Sequence, residues 1–119
     1  MIVSHKHKFI FIKTEKTAGT SLEIALSKVC GSEDIITPIS KKDETLRWEM
    51  GGLPPQEHQI PYSQYSKSDW LRLFLNKKRA KFFNHADARF IKSHLDPAIW
   101  DSYFKFCFER NPWDKVVSF

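Results

Sequence analysis

The sequence contains few of the residues that would assign it to a specialised class of protein. Among its 119 residues are only two cysteines, Cys30 and Cys107, which excludes a disulfide-rich scaffold. It has no CxxC motif or Cys/His cluster with metal-site spacing, so we expect no bound metal. The apolar run Phe9–Ile12 is too short for a signal-peptide core or a membrane span. These shortages predict a soluble, cytoplasmic chain with no membrane partner.

The composition is that of a globular protein that favours anionic ligands. Hydrophobic residues make up 41% of the chain and aromatic residues 14%, which is enough for the core of one modest domain. Basic residues outnumber acidic ones by nineteen to fourteen, and the isoelectric point is about 9.3. This charge balance favours a nucleotide, an acidic sugar polymer or a nucleic acid, without deciding among them.

Two segments each predict a strand that leads through a short loop into a helix. The first is the buried strand Phe9–Ile12, a polar turn, and a helix from Thr20, where Thr20 and Glu23 fit the capping-box pattern. The second is the alternating strand Tyr103–Glu109, followed by a helix that Asn111-Pro112 begins.

The sequence between these units predicts mainly helices after an irregular excursion over residues 32–67, which is rich in proline and glycine. Helices are expected from a cap at Ser68 or Asp69, over Ala86–Leu95, and from Pro97 to Trp100, with a short strand at Phe82-Phe83. Lys77–Lys81 is predicted as a solvated helix end. Large aromatic side chains are expected in the core: Trp70, Phe74, Trp100, Phe104, Phe106 and Phe108.

The loop after the first strand carries the residue types that bind an anion. Gly19 permits close backbone approach, the helix that follows presents unpaired N–H groups, and Lys16 supplies a positive charge. Hydroxyl donors come from Thr17, Thr20 and Ser21. The order differs from a Walker A loop, in which the lysine follows the last glycine. An ordinary glycine turn at a helix start is the alternative interpretation.

The second unit offers a similar arrangement. Arg110 stands at the end of a strand, where its guanidinium can donate two hydrogen bonds to a phosphate. Ser118 lies eight residues further on and approaches the same region only if the intervening loop curls back. A surface arginine beside an Asn-Pro cap is the alternative here.

Taken together, Phe9–Ser21 (FIFIKTEKTAGTS) and Phe104–Ser118 (FKFCFERNPWDKVVS) resemble the two signature elements of the sulfotransferase superfamily, and most closely its carbohydrate sulfotransferases. The resemblance implies a P-loop-like three-layer α/β fold with a central parallel sheet and helices on both faces. It also implies that residues 1–119 form a single, partial domain, incomplete at its C-terminus. The middle of the chain matches the family only loosely.

The resemblance further implies that the sulfuryl donor is 3′-phosphoadenosine 5′-phosphosulfate (PAPS) and that the acceptor is a hydroxyl of a carbohydrate. No metal and no nucleic-acid partner are implied. The 5′-phosphosulfate would be held by Lys16, Thr17, Ala18, Gly19, Thr20 and Ser21, and the 3′-phosphate by Arg110 and Ser118. Glu15 departs from the family, which often has proline there, and is expected to point outward or to pair with a lysine such as Lys13.

Lys16 and His85 are the predicted catalytic residues. Lys16 would stabilise negative charge on the departing phosphate oxygen, and His85, after the predicted strand at Phe82-Phe83, would act as the base. His94 is the alternative base, because Lys92–Leu95 is similar to an element of the cytosolic sulfotransferases. It is less favoured because it falls on a predicted helix.

Two other functions fit parts of the sequence. A P-loop nucleotide kinase would bind ATP with Mg²⁺, but the chain lacks the GK[ST] order and an evident acidic residue for the metal. A truncated, non-catalytic chain would keep only a nucleotide or polyanion site.

Overall fold

The computed structural model describes residues 1–13 and 19–107, which form four strands and five α-helices. The strands are β1 (Ile2–Ser4), β2 (Phe9–Phe11), β3 (Ile35–Ile36) and β4 (Phe104–Phe106). The helices are α1 (Gly19–Ser27), α2 (Lys41–Glu49), α3 (Lys67–Asn76), α4 (Ala88–His94) and α5 (Pro97–Ser102), with a 3₁₀ turn at Tyr62–Gln64.

The four strands form one mixed sheet in the order β3-β1-β2-β4. β1 pairs antiparallel with β2 and β3, whereas β2 and β4 run parallel, with Phe9 opposite Phe104 and Phe11 opposite Phe106. The α/β class is therefore confirmed, but within residues 1–13 and 19–107 only one strand pair is parallel. The difference arises from β1, which the sequence did not predict. A tight turn with Lys8 at φ 57° folds β1 back against β2.

Helices cover both faces of the sheet, as predicted. On one face Val3 and Ile10 pack with Ile91 of α4. On the other face Ile2, Phe11 and Ile36 pack with Leu22 and Leu26 of α1. β1 and β2 therefore have packing partners on both faces, which explains why apolar residues follow one another in Ile2-Val3 and in Phe9–Phe11.

The segment predicted as irregular, residues 32–67, contains β3, α2 and the 3₁₀ turn. α2 is polar on most of its surface, so hydrophobic periodicity could not reveal it. Its start is fixed instead by the Ser40 hydroxyl, which accepts a hydrogen bond from the Asp43 N–H at 3.2 Å. Phe82-Phe83 is not a strand, because only Lys81 forms a bridge, with Gln59.

The later helices lie close to their predicted positions. Asp96 caps α5 and Pro97 opens it, as expected, and Asp87 caps α4. α3 starts earlier than predicted, with Ser66 as its cap and Asp69 completing a capping box.

The expectation that all the large aromatic side chains lie in the core is wrong for Trp70, Phe74 and Phe104, which are 39%, 78% and 71% exposed. Phe108 lies outside the described residues. Of the two cysteines, Cys30 is buried and Cys107, just after β4, is exposed.

Candidate functional site

The strands that precede the two segments predicted to bind phosphate lie side by side. β2 and β4 are adjacent and parallel, so their carboxyl ends lie at one edge of the sheet, here called the carboxyl edge. The pairing continues one residue beyond β2, where the Ile12 N–H donates to the Phe106 carbonyl at 3.0 Å. Ligands of open α/β sheets bind outside the carboxyl ends of the strands, so the candidate site begins here.

Part of the predicted first loop is described. Lys16, Thr17 and Ala18 lie outside the described residues, as do Arg110 and Ser118 of the second segment. Gly19, Thr20 and Ser21 form the first turn of α1, where Thr20 is half-buried and Ser21 is exposed. The first turn of α1 contains no acidic residue, so the positive end of the helix dipole is not neutralised there.

Glu23 does not act as the predicted capping-box partner of Thr20. Its fully buried carboxylate accepts a hydrogen bond from the Met1 ammonium at 2.9 Å and forms an ion pair with Lys13 at 3.3 Å. The Met1 ammonium also donates to the Thr37 hydroxyl oxygen at 3.0 Å. We call Met1, Lys13, Glu23 and Thr37 the Glu23 cluster; it is a buried network that joins Lys13, which follows β2, to α1.

Burial dominates the electrostatics of this cluster. It lowers the pKa of the Met1 ammonium from its ordinary value of 8.0 to about 6, although Glu23 attracts the positive charge. Lys13 and Arg47 lower this pKa further by repulsion. Lys13 and Arg47 therefore contribute positive potential at the Met1 amine, which is mostly uncharged at neutral pH because its pKa is about 6.

Arg47 contributes to this potential from α2. Its side chain is 1% exposed and forms an ion pair with Glu44, one turn earlier. Within the described part of the chain, its Nε and Nη1 atoms have no hydrogen-bond partner. No sequence pattern identified Arg47, because the helix that buries it lies in the segment predicted as irregular.

Of the expected pair Lys13 and Glu15, the structure describes only Lys13. Lys13 is buried against Glu23, which is its carboxylate partner among the described residues. Glu15 itself lies outside them.

His85 lies at the carboxyl edge. It is exposed, in a turn with Asn84, and the Asn84 carbonyl accepts a hydrogen bond from the Met1 ammonium at 3.4 Å. Because Ile2 pairs with Phe11 at the end of β2, Met1 brings this turn to the edge where the two segments leave the sheet.

His94, the alternative base, is held inside the protein. Its Nε2 lies 2.6 Å from the Asp69 carboxylate of α3, and its Nδ1 lies 2.9 Å from the Phe90 carbonyl. Burial opposes ionisation of Asp69, but hydrogen bonds from Ser66 and His94 outweigh it and lower the pKa of Asp69. Both ring nitrogens of His94 therefore face partners in the protein, and the side chain connects α4 to α3.

Comparisons with known proteins assign no family to the chain. No family model matches it, and no solved structure matches it. An uncharacterized protein of Archaeoglobus fulgidus is 54% identical over 28 residues, which is 24% of this chain and 23% of that protein. The chain therefore spans less than a quarter of the length of this relative. Within the described ranges, no helix has the length and apolar character needed to cross a membrane.

Proposed function

We propose that the protein is a PAPS-dependent sulfotransferase whose acceptor is a carbohydrate hydroxyl. The observation that carries the proposal is the parallel pairing of β2 with β4. This pairing brings together the carboxyl ends of the strands that precede the KTEKTAGTS and RNPWDKVVS segments in the sequence. Two phosphate-binding elements that serve one nucleotide need such a common origin.

The described residues fit an anionic group at the start of α1. A nine-residue helix begins at Gly19, so its first N–H groups are free of intrahelical partners. Thr20 and Ser21 add hydroxyl donors in the same turn. The next acidic residue of α1, Glu23, is turned inward and paired with Lys13, so its repulsion of an anion at the helix start is offset.

The remaining roles follow from the family resemblance. PAPS would supply the sulfuryl group, with its 5′-phosphosulfate held by Lys16–Ser21 and its 3′-phosphate by Arg110 and Ser118. In the transfer, the bond between sulfur and the 5′-phosphate oxygen breaks while a bond between sulfur and the acceptor oxygen forms. Lys16 would stabilise the charge that develops on the departing phosphate oxygen. His85 would take the proton of the acceptor hydroxyl, since it is exposed at the same edge whereas His94 is buried.

Calorimetric titration with 3′-phosphoadenosine 5′-phosphate (PAP) tests this proposal. We expect the unmodified chain to bind PAP without added metal, and Lys16→Ala to weaken binding by at least about tenfold, the effect of losing one charge-assisted hydrogen bond. Lys28→Ala is the matched control, because Lys28 is exposed just beyond the other end of α1. Its affinity should equal that of the unmodified chain.

Two results would overturn the proposal. One is no binding of PAP by a folded chain. The other is tight binding of ATP that requires Mg²⁺, with no binding of PAP, which would favour a nucleotide kinase.

A further inference from the structure

The apolar face of α3 points away from the body of the protein. Asp69 is buried and Leu73 is half-buried, so these two residues mark the inward side of the helix. Leu71, Phe74 and Leu75 are 59%, 78% and 72% exposed. With Trp70, their spacing places them on one continuous stripe along the helix. An ordinary surface helix has the opposite arrangement, with its polar face outward.

The stripe is held rigidly in this orientation. The Ser66–Asp69 capping box fixes the start of α3, and the Asp69 carboxylate is bound to His94 of α4. Its last turn closes at Lys77, which adopts a left-handed backbone conformation with φ 54°. Rotating α3 to bury the stripe would remove Asp69 from both of its partners, so the exposure is built into the fold.

Positive charge is concentrated around this stripe. Six of the nineteen basic residues of the chain, but only one of its fourteen acidic residues, lie in residues 67–81. This segment therefore has a net charge of +5, and the rest of the chain is neutral overall. Its one acid, Asp69, is buried, whereas five of its basic residues are exposed: Lys67, Arg72, Lys77, Lys78 and Lys81.

We propose that α3 binds the surface of an anionic lipid bilayer. An apolar stripe flanked by lysine and arginine is the pattern of helices that lie in the interface plane, with apolar side chains in the acyl boundary and cations at the headgroups. Each lysine or arginine near such a surface strengthens binding to anionic lipid. A second copy of the chain fits this face less well, because it would bring two segments of charge +5 together.

This mode of binding needs no membrane span. The expectation that the chain has no membrane partner was based on the shortness of its apolar runs, which bears on crossing a bilayer but not on lying against one. The inference does not depend on the proposed sulfotransferase activity, since it involves none of the predicted phosphate-binding residues.

Co-sedimentation with lipid vesicles tests the inference. We expect the chain to bind vesicles of phosphatidylcholine mixed with phosphatidylglycerol, to bind phosphatidylcholine alone much more weakly, and to be released as salt is raised. The double substitution Lys77→Gln and Lys78→Gln should weaken binding about fivefold for each lysine removed. The matched control, Lys41→Gln with Lys42→Gln, removes two exposed lysines from the start of α2 and should leave binding unchanged.

The apolar stripe is tested separately with Phe74→Ser, which should reduce vesicle binding at least about tenfold. Trp48→Ser is its control, because Trp48 is similarly exposed but lies on α2. Circular dichroism should show that both variants keep their helices, since neither side chain is buried.

Failure of the unmodified chain to bind anionic vesicles would overturn the inference. Equal weakening by the two lysine pairs would overturn the assignment to α3. Concentration-dependent dimerisation in light scattering that Phe74→Ser abolishes would assign the face to a second copy of the chain instead.

Discussion

Glu23 connects parts of the molecule that are distant in sequence. Its carboxylate holds the Met1 ammonium and the Lys13 side chain, while its backbone belongs to α1. The Glu23 cluster therefore connects the start of β1, the chain that follows β2, and α1. At this scale, stability and the proposed site depend on the same side chain.

Substitution Glu23→Gln should destabilise the fold at neutral pH by about 3 kcal/mol, because it removes the carboxylate that pairs with the buried Lys13 ammonium. Urea denaturation followed by circular dichroism measures this change. Glu33→Gln, at an exposed position between α1 and β3, is the control and should change stability by less than about 0.5 kcal/mol. Equal stability of the two variants would show that the buried ion pairs contribute nothing net.

The role of a single residue could be predicted from the sequence where its partners are its neighbours in the chain. Asp96 with Pro97 was identified correctly as a helix start, because a cap depends on neighbouring residues only. Thr20 with Glu23 matched the capping-box pattern equally well, yet Glu23 has partners that no local pattern contains. His85 and His94 could not be separated by chemistry for the same reason: the partner that engages His94, Asp69, lies 25 positions away.

The elements differ in how strongly the sequence specifies them. α1 was predicted from apolar periodicity and β2 from a continuous apolar run, whereas β1 has only two apolar residues before Ser4 and α2 is mostly polar. These two short elements nevertheless shape the site, because β1 carries Met1 to the carboxyl edge and α2 buries Arg47. Elements stabilised by contacts with the rest of the chain, rather than by their own pattern, are the ones that sequence reasoning missed.

The two adjacent glycines after α2 provide a test at this scale. A Cβ atom at Gly52 would lie 2.4 Å from the Ser27 hydroxyl oxygen and 2.8 Å from the Arg47 Cγ. Gly52→Ala should therefore force α1 and α2 apart and destabilise the fold by about 2 kcal/mol in urea denaturation.

Gly51 is the matched control for this substitution. It has a positive φ of 83°, but a Cβ there meets no atom within 4 Å. Gly51→Asn should cost less than about 1 kcal/mol, because asparagine tolerates the left-handed region. A larger loss at Gly51 than at Gly52 would contradict the packing described for Arg47.

At the scale of the whole molecule, the arrangement of the sheet could be predicted only in part. The sequence indicated two strands that lead into predicted anion-binding loops. The structure pairs these strands, β2 and β4, in parallel, although most of the chain separates them in sequence. Strand order and the antiparallel β1 depend on contacts between remote residues, which composition and periodicity do not encode. Sulfotransferase activity itself stays a prediction from the resemblance.

The stability of the whole fold should depend on pH through the Met1 ammonium. Its pKa is lowered from 8.0 to about 6 by burial, so the unfolded chain binds more protons between these values. Burial of the Met1 amine should cost nothing above pH 8, where the amine is uncharged in both states. As the pH drops below 6, it should lower the free energy of unfolding by up to about 3 kcal/mol. Urea denaturation midpoints measured across this range would detect it, and a flat profile would contradict it.

His58 contributes a slope of the same sign. Burial and repulsion from Lys81 lower the pKa of His58 from its ordinary value of 6.5, so its neutral form is favoured by folding. A His58→Gln chain removes this contribution and leaves that of Met1.

The two cysteines differ in exposure, and this difference allows a label to be attached near the carboxyl edge. Burial, with the nearby Asp34 charge, raises the pKa of the Cys30 thiol to about 12, so it supplies almost no reactive thiolate at neutral pH. Cys107 is exposed directly after β4 and precedes in sequence the second segment predicted to bind phosphate. A thiol-reactive fluorophore would thus attach at one place in the unmodified chain, and its emission would report ligand binding at the proposed site without any engineered residue.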